Sequence, residues 1–360
     1  MTFDPTTLLD VPGLDAPFLA RLEAQVAELL GVRDDVVIFQ GEAILLMEAI
    51  AKNIAAPGAT AINVVTGPYG AIFGDWMRVA SAHVVDVTSS LDAVITVEAV
   101  RAALDAHPEA TVLALAHAEA ATGGTNPVAE IVALARSRGV VTVVDAVASI
   151  GAEQVTPARW GADICVIGPQ KSLAGPAGIS AASVTARAWD VIDANPGALS
   201  GSSLSLTDWR ETWLRTDRSA IPGTPSVLES RALGAALDRV SAEGLDAVVA
   251  RHTAAAHQAR AGLEALGLRT WQRGPLGYAS VVTIVAIPGD LDGAAFTRAA
   301  IDAGGGLVTA GNGSLLDKAV RINHTGRQAT PEAVDRALAG LARAVAEVRG
   351  HQELVRMTSR

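Results

Sequence analysis

Two short apolar runs, residues 140–144 (VVTVV) and Ile164–Ile167 (ICVI), constrain the fold of this chain most, because each stops at a group that a core strand avoids. Asp145 follows the first, and Gln170-Lys171 follows the second after a two-residue turn. Uninterrupted apolar runs of four or five residues read as strands buried on both faces, the habit of parallel sheets covered by helices. In open α/β sheets ligands bind beyond the carboxyl ends of the strands, so a carboxylate and an amine placed there project into a crevice. An amine in such a crevice can bond an aldehyde as a Schiff base, and a carboxylate can hold a protonated ring nitrogen. Their separation, 171 − 145 = 26 residues, suits two neighbouring strands that present both groups to one ring.

The remaining pattern supports the same architecture. Helix 17–30, strand 36–39, a Gln40-Gly41-Glu42 turn and helix 43–55 give a strand, glycine turn and helix in the order used to bind phosphate at a helix N-terminus. Strand 61–66, the turn 67–70, a helix to Val79, strand 83–87, helix Val97–Ala106 and strand 111–116 continue the alternation, and helix 128–138 leads back to residues 140–182. This predicts an α/β fold with a mostly parallel central sheet and helices on both faces. Beyond Ala182 the reading is helix 186–194, a Ser/Gly-rich passage 197–205, a loop at residues 220–225, a long helix from Val227 and another over 245–266. Strands 279–286 and 319–323 then alternate with helices 293–303 and 331–348. The expected division is a large domain over residues 1–243 and a smaller α+β domain over 244–360.

Composition removes several classes of function. Half of the residues are hydrophobic and 18% charged, and the net charge is −10 without a basic patch, so a nucleic-acid partner has little to hold. The single cysteine, Cys165, lies inside an apolar run, which excludes a disulfide framework and fits a reducing cytoplasm. No uninterrupted apolar stretch is long enough to span a membrane, and residues 1–10 lack the features of a signal peptide. The reading is therefore a soluble, cytoplasmic protein with small-molecule partners and no metal cluster.

Five motifs in order, GPYGAIFGDW at 67–76, AHAEAATG at 116–123, VDAVAS at 144–149, GPQK at 168–171 and VRINHTG at 320–326, resemble the class V aminotransferases of pyridoxal-phosphate fold type I over almost the whole chain. The resemblance implies that Lys171 forms the Schiff base and moves the proton, and that Asp145 holds the pyridine nitrogen. It implies that Tyr69 stacks on the ring and that Arg321 grips a substrate carboxylate by a bidentate pair. It also places Gly41, Glu42, Ala43, Gln170 and His117 around the ring or its tail, with Thr224 reaching the site of a second subunit in a homodimer or dimer of dimers. From the residues alone, Asp145 also reads as a helix cap, Tyr69 as a turn residue packing on a helix, His117 as a core histidine, and the Thr224 loop as plain structure.

Glu42 departs from the family pattern, in which the corresponding turn is small and hydroxylated. Like unit charges about 4 Å apart repel by about 4 kcal/mol at an effective dielectric near 20, so a carboxylate here opposes the phosphate of pyridoxal 5'-phosphate. It could accept a hydrogen bond from a neutral hydroxymethyl group. One subgroup of the family with a Gly-Glu turn takes unphosphorylated pyridoxamine as substrate and passes its amino group to pyruvate, giving pyridoxal and L-alanine. The chain shares with it the Gly-Glu turn, Asn126-Pro127, Ala188-Trp189, Ala194-Asn195-Pro196 and Thr224-Pro225-Ser226. It departs at Asn312, where a second arginine is expected. It departs at Ala120, where a Ser or Thr bonds the ring's phenolic oxygen and for which Thr122 could substitute. It also starts roughly 25 residues too late to hold the family's N-terminal Gly-Pro segment. The expected activity is amino transfer between a small amine and a small 2-oxo acid. The alternatives are a pyridoxal-phosphate-dependent alanine or serine–glyoxylate type of aminotransferase, and a catalytically weak vitamer-binding protein.

Overall fold

Ile164–Ile167 shows how the two faces of the central sheet are built. Ile164 and Val166 pack on one face against Leu46, Ile50 and Trp189, while Cys165 and Ile167 pack on the other against Leu22, Val26 and Leu237. The period-two alternation of a strand thus serves two apolar layers at once. The computed structural model describes residues 4–216, 218–220, 223–274 and 277–358; Ile221 and Pro222 of the loop at 220–225 lie outside them. The large sheet contains β1 (Asp35–Gln40), β2 (Thr60–Val65), β3 (His83–Thr88), β4 (Val112–Ala116), β5 (Val141–Asp145), β6 (Ile164–Ile167) and β7 (Ile179–Val184), in the order β1-β7-β6-β5-β4-β2-β3. Strands β2 to β6 are parallel to their neighbours among themselves, with Asp145 of β5 level with Val166 of β6.

The sequence pattern does not reveal β7, which runs antiparallel to both β6 and β1. Its residues, ISAASV, are small and polar enough to look like a continuation of the glycine-rich loop, yet all six are buried. Burial on both sides needs only small side chains where two packed strands flank the run. Strand β7 joins the Gly41 turn to the Lys171 loop: Ser180 Oγ donates to the Gly41 carbonyl at 2.9 Å.

Helix Ala16–Leu30 starts where Asp15 accepts from the Phe18 amide (2.8 Å) and stops at Gly31, whose left-handed φ of 63° closes the turn. Its stripe Phe18, Leu22, Val26 and Leu30 is buried against the sheet, each such side chain contributing about 1.5–3 kcal/mol. The second sheet pairs Arg269–Thr270, Thr283–Ala286, Ala319–Ile322 and Val308–Ala310 in that order, all antiparallel. Helices Gly293–Gly304 and Pro331–Thr358 cover one face of it through Phe296, Val334 and Leu341. The last helix runs ten residues beyond the expected 348, and strand 279–286 is shortened to Thr283–Ala286.

Candidate active site

The two charged ends of β5 and β6 meet at one crevice. Asp145 closes β5 and accepts a hydrogen bond from the Val147 amide at 2.9 Å, which fixes its carboxylate at the strand's carboxyl end. Burial raises its pKa, and the nearby Lys171 ammonium opposes the rise. Lys171 Nζ stands 5.4 Å from the centre of the Tyr69 ring. Tyr69 sits at the second position of helix Pro68–Val79, so its ring is carried by a helix start that follows directly on the β2 turn. The phenol's pKa is raised, by burial first and then by Glu119.

Arg321, on strand Ala319–Ile322, projects from the small sheet toward Tyr69, whose phenol favours the guanidinium's charge. Its pKa is lowered by burial, its Nε has no hydrogen-bond partner, and it forms no ion pair among the described residues. A half-buried guanidinium without a counter-ion is costly, and a substrate carboxylate would satisfy it.

Glu42 is the N-cap of helix Ala43–Ile54. Its Oε2 accepts from the Ile44 amide at 2.8 Å, and its Oε1 accepts from Gln170 Nε2. Gln170 Oε1 is buried and unpartnered. The carboxylate therefore takes one of the amides that a phosphate at this helix N-terminus would use, and it faces the residue next to Lys171. Gly41 precedes it at φ 151°, with Leu45 Cδ1 2.8 Å from where a Cβ would stand, and Ala43 is buried as the first residue of the helix.

The structure does not bring every expected residue to the ring position. His117 joins the site through its backbone, whose amide donates to the Asp145 carbonyl (2.8 Å). Its ring lies edge-on to Trp160 at 5.0 Å, and burial pushes its pKa down to about 4. Thr224 lines a different cavity of 310 Å³, bordered also by Gln40, Ser205, Trp209, Ser226 and Glu229, which neither Asp145 nor Lys171 lines. The Thr122 hydroxyl donates to the Thr66 carbonyl at 3.3 Å and so is already engaged. Sequence reasoning gave Glu119 no role, although a charged residue among the small ones of AHAEAATG was the available signal. It is 1% exposed beside Asp145 and Lys171, and burial pushes its pKa up to about 7.

A profile described as Aminotransferase class-V matches residues 18–323. The chain belongs to the class V aminotransferases. It is 38% identical over 295 residues, 82% of its length and 75% of the relative's, to the pyridoxamine–pyruvate transaminase of Mesorhizobium japonicum. It is 32% identical over 226 residues, 62% of this chain and 55% of the relative, to a serine–glyoxylate aminotransferase of Hyphomicrobium methylovorum. The crystal structure of pyridoxamine-pyruvate aminotransferase from Mesorhizobium loti superposes with a TM-score of 0.86 at 33% identity, covering 92% of this chain and 84% of that one. The protein is thus a transaminase of fold type I, a family whose chemistry depends on pyridoxal phosphate. Among the described residues no helix is long and apolar enough to cross a membrane.

The site fits a pyridoxal ring. Asp145 offers a carboxylate, Tyr69 a flat aromatic face below Lys171, and Arg321 a guanidinium whose Nε has no partner. The bound ring would supply an electron sink for the substrate carbon.

Proposed function

We propose that this aminotransferase moves an amino group from unphosphorylated pyridoxamine to a small 2-oxo acid, with pyruvate and L-alanine as the acceptor pair. The observation that carries the choice of vitamer is Glu42, whose carboxylate caps the helix at the place a phosphate would need and is tied to Gln170 beside the lysine. The 38% identity to a pyridoxamine–pyruvate transaminase supports it. Lys171 supplies the amine that bonds the aldehyde and afterwards carries the proton. Asp145 keeps the ring nitrogen protonated, and Tyr69 orients the ring from below. The reading divides the chain into residues 1–243 and 244–360 and includes a homodimer in the cytoplasm, in which Thr224 serves the partner's site.

The division of labour follows from position. Burial around Asp145 strengthens its attraction for a cationic ring nitrogen, because little water competes for the carboxylate. Arg321 recognises a carboxylate by its planar fork, so the acceptor carries one. A phosphate-dependent alanine or serine–glyoxylate activity is the second reading, favoured by the similarity to a serine–glyoxylate aminotransferase.

The test is an absorbance titration of the apoprotein with pyridoxal and with pyridoxal phosphate, followed by pyruvate with pyridoxamine. Wild type should bind pyridoxal at lower concentration than the phosphate ester and form L-alanine, and Lys171→Ala should lose the band of bound pyridoxal. A wide preference for the phosphorylated form would favour the second reading. A Lys171→Ala variant that keeps the band would remove the lysine from its role.

A further inference from the structure

Helix Pro68–Val79, which carries Tyr69, begins without a side-chain cap, because its N-cap residue is Gly67. A helix start leaves its first amides without intrahelical partners, and Ser, Thr, Asn or Asp normally fills the gap. Here a Cβ on Gly67 would stand 2.4 Å from the Cγ, Cδ and Oε2 atoms of Glu119. The space of a local cap is therefore taken by a carboxyl from another part of the chain. Glu119 reaches it from the two-residue strand Ala118–Glu119, just beyond β4, and its Oε1 is held by the Ala121 amide at 3.1 Å. The backbone amide of Tyr69 acts on the same carboxyl and favours its charged form. Its Oε2 is buried and has no hydrogen bond of good geometry among the described residues.

We propose that Glu119 is a positioning residue for Tyr69: its carboxyl caps the Tyr69 helix in place of the side chain that Gly67 lacks, and so sets the height of the aromatic platform under Lys171. The bearing on catalysis rests on the function proposed above; the capping itself does not. A residue that only filled space would be apolar here, since an ionisable group with a free oxygen in a dry pocket is costly. The position is also electrically sensitive. Asp145 from β5, Lys171 from the loop after β6 and Tyr69 from the helix all act on the carboxyl, which burial brings to a pKa of about 7. Near neutrality it holds a proton part of the time. Its loss adds a second negative charge beside Asp145, and strengthens the grip on the Tyr69 amide.

Amide hydrogen exchange of the apoprotein tests the cap without any ligand. Glu119→Ala should speed exchange of peptide 67–76 by about tenfold, the usual consequence of removing a cap, while Val112–Ala116 keeps its protection. Adding Gly67→Ser, which returns a capping hydroxyl in cis, should restore protection. Equal exchange in wild type and Glu119→Ala, or no recovery in the double variant, overturns the proposal. If Glu119→Ala does not fold, the double variant decides: protection of 67–76 at the wild-type level supports the cap, and its loss refutes it. In a parallel titration, the pyridoxal affinity of wild type should change near pH 7, and that step should vanish in Glu119→Gln; a step that persists overturns the proton's part. A wild type that binds no vitamer would sink the proposed function alone, leaving the exchange result intact.

Discussion

Gly326 lies so close to Lys171 that a Cβ at position 326 would stand 2.8 Å from the lysine's carbonyl oxygen. The contact joins the two sheets of the molecule at Lys171. Around it, Ser172 and Thr325 share a hydrogen bond between their hydroxyls at 3.2 Å, and His252 Nε2 accepts from the Gly326 amide at 3.0 Å. The turn after Arg321 and the loop of Lys171 are therefore one packed unit, and the arginine cannot shift far without the lysine.

Gly326→Ala should disturb that unit directly. Gly326 has a φ of 58°, and the added methyl would meet the backbone of Lys171 rather than a flexible side chain. A loss of about 1–3 kcal/mol is expected, read by denaturant unfolding, together with a weaker band of bound pyridoxal. Wild-type stability in the variant would show that the loop gives way freely.

Glu42→Gly should move the vitamer preference toward the phosphate ester. Removing the carboxylate frees the Ile44 amide and abolishes like-charge repulsion worth about 4 kcal/mol per unit charge at contact distance. The ratio of pyridoxal to pyridoxal phosphate affinities should fall at least tenfold. An unchanged ratio would place the phosphate away from this helix.

Arg321→Lys should reduce kcat/KM for the 2-oxo acid by about tenfold to a hundredfold, since a point ammonium replaces a bidentate fork. Vitamer binding should stay within about twofold, because Tyr69 is the charged partner that acts on the guanidinium, while Asp145 and Lys171 do not. A matching loss of pyridoxal affinity would assign the arginine to the ring.

Stability should fall on acidification through buried histidines. His252 and His324 are almost wholly buried, and burial holds both at a pKa of about 4 against an ordinary 6.5. Between these values the unfolded chain binds protons that the folded one refuses, so stability drops as pH falls from 6.5 to 4, by up to about 3 kcal/mol per group. Glu119 acts with the opposite sign. Its folded pKa of about 7 exceeds the ordinary 4.5, so its contribution is full below 4.5 and is lost as pH rises through 7. Denaturant midpoints from pH 4 to 8 should rise to about 6.5 and then flatten or decline, and His324→Gln should lessen the acid slope. A flat profile would contradict the burial of these rings.

The parallel strands and the Asp145 and Lys171 ends were legible because a charge that closes an apolar run is costly in a core and finds its solvent or its ligand at a strand's carboxyl end. Strand β7 was not, since ISAASV carries no bulky β-branched pattern and its identity comes from the two strands that flank it. Glu42 was legible as an anomaly, but its pairing with Gln170 depends on a contact across 128 positions that no local pattern encodes. Glu119 escaped for the same reason: its partner, Gly67, has no side chain to announce it. Thr224 illustrates a different limit, because one chain by itself leaves it facing a cavity that Lys171 does not line.

The placement of β1 at the edge of the large sheet has a consequence for synthesis. Its sheet partner is β7, and the nearest paired residues, Gln40 and Ile179, are 179 − 40 = 139 positions apart. At translation rates of roughly 5–20 residues per second, the apolar DVVIFQ segment waits on the order of 10–30 s for its partner to leave the ribosome. Until then the strand is an unpaired edge with four core side chains exposed, and the growing chain is most open to holdase chaperones or to aggregation in that interval.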